Sequence, residues 1–380
     1  MDLDLYHPDT GMDLGSMPTF EAVVDTFQVE SQYEFSLFEN NLAIAGADFR
    51  LTRLSSEQLV TMEINESRVG FFIHDEHQFS NKFMATAGAR FDINNKTDAA
   101  ISPRASLVCK PVRDHLLRVS VARAFRKPSL MESSANFRIN STYPEMKVLF
   151  EEQGISNPDL RNEILTGVEI GYRGSFLDKA LRVGTDVYFN FNRGWISFDS
   201  DFRFREFGQI DLENSSIGYR NSEDDFNIVG VNFFVEGEPV KELTLFFRGE
   251  YRYEWYVKDN RVATKTPPYQ GSAGGTLRLP FGLTVHLAMV HVAAREDDVR
   301  DPVSSLEPII WQDLPAITYL LASLSHRLRA GPTLIDLGLS LFNPFGGRFR
   351  EKAGLKGPDG YNYGGELLGP RAMFMARMTY

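Results

Sequence analysis

Seven histidines and a single cysteine are the side chains of this 380-residue chain best suited to metal or nucleophile chemistry. Their spacing argues against it. His74 and His77 lie three positions apart and His286 and His291 five, odd intervals that put each pair on opposite faces of a strand, so neither pair chelates one ion. Cys109 has no second thiol with which to bind zinc or close a disulfide. The acidic run Ser222-Glu-Asp-Asp225 lacks the spaced oxygen ligands of a calcium loop and reads as a solvated loop margin. No nucleophile elbow, phosphate loop or dinucleotide fingerprint occurs, and Gly271-Ser-Ala-Gly-Gly275 belongs to a strand pattern, where a wall bends or packs closely. No catalytic residue, metal site or cofactor is expected, and the chain does not read as an enzyme. With 40 basic against 51 acidic residues, net charge −11, it does not read as a nucleic-acid binder either.

What remains is binding, and the charges that could serve it recur at every second residue. From Phe83 to Asp92 the odd positions carry Phe83, Ala85, Ala87, Ala89 and Phe91, and the even ones Met84, Thr86, Gly88, Arg90 and Asp92. Leu181 to Asn192 and Leu243 to Glu254 repeat this period of two, the signature of a strand with one apolar and one polar face. The polar set contains Arg90, Arg118, Glu169, Arg173, Arg182, Asp186, Arg248, Glu250, Arg252 and Glu254.

Fifteen strands follow from the alternation, at about residues 19–36, 41–54, 68–79, 83–95, 100–110, 115–125, 164–176, 180–195, 222–237, 242–257, 268–279, 282–294, 315–328, 332–343 and 370–380. Globular strands average about 5 to 6 residues, whereas a tilted strand needs about 9 to 11 to cross a bilayer. The connections alternate too: those of two to four residues fall on one rim, and those of 10 to 38 on the other, residues 96–99 excepted. Outer-membrane barrels have this asymmetry. Alternation alone does not separate a membrane barrel from a soluble sandwich, so strand length, loop parity and the aromatic end Phe374-Met-Ala-Arg-Met-Thr-Tyr380 favour the barrel. The expected fold is an all-β antiparallel transmembrane β-barrel, one domain over residues 1–380 with 1–16 as a loop or poorly ordered segment. No run of 18 apolar residues suggests a membrane helix, and the acidic start Met1 to Pro8 does not read as a secretory leader.

In such a barrel the charged set faces the lumen, because lipid does not tolerate it at depth. There it pairs across strands or guides a ligand. The long connections carry Phe137, Tyr143 and Phe150, then Phe198, Phe202, Phe204 and Phe207, candidates for ligand capture.

Several segments resemble the C-terminal part of a TonB-dependent receptor barrel. Ser102-Pro-Arg-Ala-Ser-Leu-Val108 followed by Leu117-Arg-Val-Ser-Val-Ala-Arg-Ala-Phe-Arg-Lys-Pro-Ser129 is similar to paired strands ending in an aromatic-Arg-x-Pro-Ser step into a long loop. Asn157-Pro-Asp-Leu160 with Glu163 and Val168-Glu-Ile-Gly-Tyr-Arg173 resembles the return strand. Gly70-Phe-Phe-Ile-His-Asp-Glu76 with Thr86-Ala-Gly-Ala-Arg-Phe-Asp92, and Leu341-Phe-Asn-Pro-Phe345 with the aromatic terminus, resemble further strands, so the likeness spans most of residues 17–380. Departures are His74 for a usual Gln, Asn162 for a common Pro, and Pro344 within an Asn-Leu-Phe pattern. The resemblance implies a bacterial outer-membrane location and import of a scarce nutrient such as a siderophore. It implies lumenal contacts of Arg118, Glu169, Arg173, Arg182, Asp186, Arg248, Glu250 and Arg252 with ligand or plug. Phe374 and Tyr380 would form the signal read by the barrel-assembly machinery, beside outer-membrane lipid and a small-molecule ligand as the other partners. It also implies 22 strands, a plug, a TonB box and a signal peptide that this sequence lacks, so the fifteen strands are expected to be the last fifteen, with TonB reached only through the missing plug. A plugless porin-like barrel, a non-functional receptor fragment and a soluble secreted β-protein are the alternatives.

Overall fold

The computed structural model describes residues 3–6, 13–17, 21–56, 63–135, 148, 155–201, 203, 205, 211–300, 309–350, 354–356, 362–364 and 367–379. Fifteen of its strands form one antiparallel sheet, each paired only with its neighbours in sequence. They are β1 (Val23–Phe35), β2 (Asn41–Ser55), β3 (Ile64–Gln78), β4 (Phe83–Asn94), β5 (Ala100–Cys109), β6 (His115–Arg126), β7 (Glu163–Phe176), β8 (Leu181–Arg193), β9 (Phe226–Val240), β10 (Leu243–Tyr256), β11 (Tyr269–Arg278), β12 (Leu283–Val292), β13 (Ile317–Ala330), β14 (Thr333–Phe342) and β15 (Arg371–Thr379). These are the fifteen strands expected from alternation. The largest displacements are of four residues: β1 begins at Val23 rather than near residue 19, β9 at Phe226 rather than near 222, and β3 at Ile64 rather than near 68, which shortens the loop before it. Among the described residues β1 and β15 each pair on one side only, and the sheet is open along both edges.

The register makes one face continuous from end to end. Asp186 stands opposite Gly171 and Asn232, Asn232 opposite Glu250, and Glu250 opposite Gln270. The other face is just as consistent: Val187 lies opposite Ile170 and Val231. Burial is inverted relative to a soluble domain. On the apolar face Phe27 is 60 % and Ile170 55 % exposed, while on the polar face Asp48 and Asp92 are 4 % exposed. A sheet that shows water its grease and hides its carboxylates on the inner side of its curve is suited to hydrocarbon outside and a polar interior.

The seven connections on one rim are tight. Several use left-handed backbone where an Asn, Asp or Gly tolerates it, at Asn40 (φ 60°), Asp114 (65°), Gly282 (83°) and Gly331 (64°). The opposite rim carries the long connections, except residues 95–99, and among the described residues three of these fold back as small hairpins, including Ile196–Asp201 on Ser216–Asn221 and Arg295–Arg300 on Ile309–Leu314. The expected N-terminal loop segment contains one more, Leu3–Tyr6 on Asp13–Met17. A short helix, α1 (Leu130–Ser134), follows β6 and starts with a capping box between Ser129 and Glu132.

Candidate functional site

The inner face carries two networks of charge. The first spans β2 to β4. Asp48 accepts from Arg90 and from Arg68 Nη2 (3.4 Å), while Arg90 reaches Asp92 through Nε (2.8 Å) and Nη2 (2.7 Å). Room for this exists because residue 70 is glycine: a Cβ there would overlap the Arg90 guanidinium and the Asp48 carboxylate. Nearby, Lys127 Nζ donates to Glu66 Oε1 at 2.6 Å and Asn94 Nδ2 to the same oxygen at 2.8 Å.

The second network spans β6 to β11 and contains most of the charged residues singled out from the sequence. Arg118 bonds Glu169 and lies 3.8 Å from Asp186, which also takes Arg173 Nη2 at 2.5 Å. Arg182 bonds Glu236, with Glu238 at 3.4 Å, and Arg248 lies 3.9 Å from Glu236. Glu250 accepts from Tyr188 Oη (2.9 Å) and Gln270 Nε2 (2.8 Å). Tyr188 lies flat across Gly230, where a Cβ would meet its ring. The guanidiniums of Arg173 and Arg248 sit 5.2 Å from the rings of Phe234 and Phe246. Arg173, Arg182, Asp186, Phe234, Arg248 and Glu250 together line a concavity of about 770 Å³. Arg252 stands apart, higher on β10, its Nε donating to the carbonyl of Pro267 (3.3 Å).

On this surface every carboxylate named here faces a cation or a neutral donor, an arrangement suited to holding a charged ligand. Among the described residues no group of His, Cys, Asp and Glu converges on a metal position. By register His74 belongs to the inner face and His77 to the outer one.

Above the second network the long connections are knit together at Arg126. Its Nε and Nη2 each lie 2.6 Å from a Glu163 oxygen, and its Nη1 lies 2.9 Å from Glu132 of α1. Glu163 Oε1 also accepts from Ile196 N (2.6 Å), tying in the next loop. Asn221 bonds the backbone of Arg161 and of Gly194, and Tyr219 N reaches Ile155 O. Ala135, Ile155, Leu160 and Ile196 are buried here, a small apolar core outside the barrel wall. Alternation over strands did not reveal this platform, although Ser129-Leu-Met-Glu132 is a capping-box signature in plain sight.

Burial works to raise the Glu132 carboxyl, but the Arg126 guanidinium and the Ser129 hydrogen bonds hold it below its usual 4.5. A lowered folded value stabilises above the unfolded value and is lost as pH falls, so this contact holds at neutral pH and weakens as the medium passes below pH 4.5. Loss of the cap costs about 1 kcal/mol of local stability. Limited proteolysis after residue 126 should therefore quicken below that pH, and Glu132→Ala should show the fast rate at neutral pH as well. A rate independent of pH in the native protein would contradict the coupling.

Of the loop aromatics, Phe198 packs edge-on against Tyr219 with centroids 5.1 Å apart. Phe137, Tyr143, Phe150, Phe202, Phe204 and Phe207 lie outside the described residues, as does Tyr380. Phe374 is on β15, 69 % exposed on the outer face.

No curated protein is matched by the sequence. Among solved structures, a ferric enterobactin receptor mutant of Pseudomonas aeruginosa in complex with enterobactin superimposes with a TM-score of 0.72 at 16 % identity, over 94 % of this chain and 54 % of that one. The siderophore receptor PirA of Acinetobacter baumannii gives 0.65 at 13 % identity, over 94 % and 54 %, and the FrpB iron transporter of Neisseria meningitidis 0.64 at 12 %, over 87 % and 52 %. At these identities the likeness is one of fold, and the chain spans about half the length of those proteins. Residues 6–343 match the family model for the TonB dependent receptor-like β-barrel. By that match, with the wall and its rims arranged as described, the chain belongs to the TonB-dependent receptor β-barrel family.

Proposed function

We propose that this chain supplies fifteen wall strands of a larger outer-membrane receptor that imports a scarce small-molecule nutrient of the metal-chelate class. The observation that carries the reading is the concavity on the inner face, where Arg173, Arg182 and Arg248 gather against Phe234 beneath the loop platform. Guanidiniums over aromatic rings suit an anionic, ring-bearing chelate. Siderophore receptors among the solved structures of similar fold support that ligand class. The open edges of β1 and β15 support further strands: in hydrocarbon each unpaired backbone group costs several kcal/mol. Arg118, Glu169, Arg173, Arg182, Asp186, Arg248, Glu250 and Arg252 would then meet ligand or a plug that couples the barrel to TonB. Phe374 on β15, with the terminal Tyr380, would be the signal read by the assembly machinery.

Uptake of labelled iron chelates by iron-starved cells, with and without the gene, tests this. Arg248→Ala should lower uptake about tenfold, the worth of one charge-assisted hydrogen bond, with surface abundance unchanged. Uptake of every chelate at the level of the deletion strain would overturn transport, and steady conductance of the purified protein without a partner would make it a passive barrel.

A further inference from the structure

The outer face carries a second feature, on the lipid side of the wall. Phe125, Ile164 and Arg193 stand directly opposite one another on β6, β7 and β8, at the long-loop ends of those strands. One step nearer the bilayer centre Arg123 faces outward across from Thr166. Together with Ile101 and Arg161 they border a concavity of about 630 Å³.

Arginine on a lipid face needs a reason. Two other outward arginines have one in the protein. Arg53 Nε holds Glu63 at 3.1 Å, and Arg193 holds Asp225 at 3.2 Å and Asn227 at 3.1 Å. Among the described residues the guanidiniums of Arg123 and Arg161 have no ion-pair or hydrogen-bond partner. Asn221 fixes the backbone of Arg161 at the edge of the concavity, accepting from its N–H at 2.8 Å and donating to its carbonyl at 2.9 Å. Of the three acids at the rim, Asp225 is taken by Arg193, Glu223 lies 3.8 Å from Lys258, and Asp98 alone is uncommitted. Two free guanidiniums therefore outweigh one free carboxylate over a floor of Ile101, Phe125 and Ile164.

We propose that this concavity seats the phosphorylated headgroup of an outer-leaflet lipid, with Arg123 and Arg161 binding phosphate and the apolar floor taking the first part of an acyl chain. The inference rests on the reading that the apolar face lies in the outer membrane with the long loops outside. Arginine matches phosphate through paired donors, and at the interface its stem lies along the apolar wall while its head reaches the polar layer.

The test uses the full-length protein, extracted from outer membranes in mild detergent and placed in phosphatidylcholine discs containing lipid A with both phosphates or its dephosphorylated form. Lipid occupancy is read by native mass spectrometry. The phosphorylated lipid should bind at least about tenfold better, and the double variant Arg123→Gln, Arg161→Gln should lose about that factor, while Arg53→Gln, whose arginine is already paired, should not. Equal binding of the two lipids by the native protein overturns the proposal whatever the variants do. So does an unchanged double variant, and displacement by millimolar inorganic phosphate would make this a free-anion site instead. Chelate uptake is a separate measurement: native uptake without phosphate-dependent lipid binding sinks this inference alone, and lipid binding without uptake sinks the transport reading alone.

Discussion

Val187→Arg should destabilise the folded wall by about 2–4 kcal/mol, because the side chain sits near the middle of β8 on the face turned to hydrocarbon. Asn232→Arg, one strand away on the inner face, should cost less than about 1 kcal/mol, a lumenal change that meets water and charge rather than lipid. Asn232 lies between Asp186 and Glu250 in register, so the new guanidinium finds carboxylates on both sides. Urea titration of protein refolded into lipid vesicles measures both. Equal costs on the two faces would mean that neither is in lipid, and the assignment of faces would fall.

Asp48→Ala should cost about 3 kcal/mol, at the low end for breaking a buried ion pair since its arginine partners keep some access to lumenal water. The loss does not come from one bond. Arg90 retains Asp92, but Arg68 keeps only the more distant Asp92 at 3.8 Å. Gly70→Val should perturb the same cluster from the other side by pushing a side chain into the Asp48 and Arg90 contact. The double variant should therefore cost less than the sum of the two, and the unfolding free energies of the four proteins decide it. Strict additivity would show that the cluster is not a unit.

The wall was legible in the sequence and the platform was not, for a physical reason. Strands exposed to lipid on one side and water on the other carry a sharp period of two, so Phe83 to Asp92 announces its faces residue by residue. Where a strand continues past the apolar band the contrast fades. Ile64-Asn-Glu-Ser67 is polar at three of four positions, and the start of β3 was missed there. The loop hairpins at Ile196–Asp201 and Ser216–Asn221 depend on partners distant in the chain, such as Asn157 bonding the Tyr219 carbonyl, and no local period encodes such a match. Within the site, Arg118, Arg173, Arg182, Arg248 and their acids stood out because charge alternates there with Val and Phe. Asp48 did not: in Ala45-Gly-Ala-Asp48 the neighbours are small on both faces, and its importance comes from Arg90, 42 residues later.

Each strand of the wall bonds only to the strands before and after it in the chain. Every second pairing closes across a tight turn of two to five residues, so each hairpin can form locally and template the next, and only pairings on the opposite rim wait for a long loop to close. A lineage can thus lengthen or shorten such a wall by whole hairpins, altering its girth without rewriting any pairing that is kept.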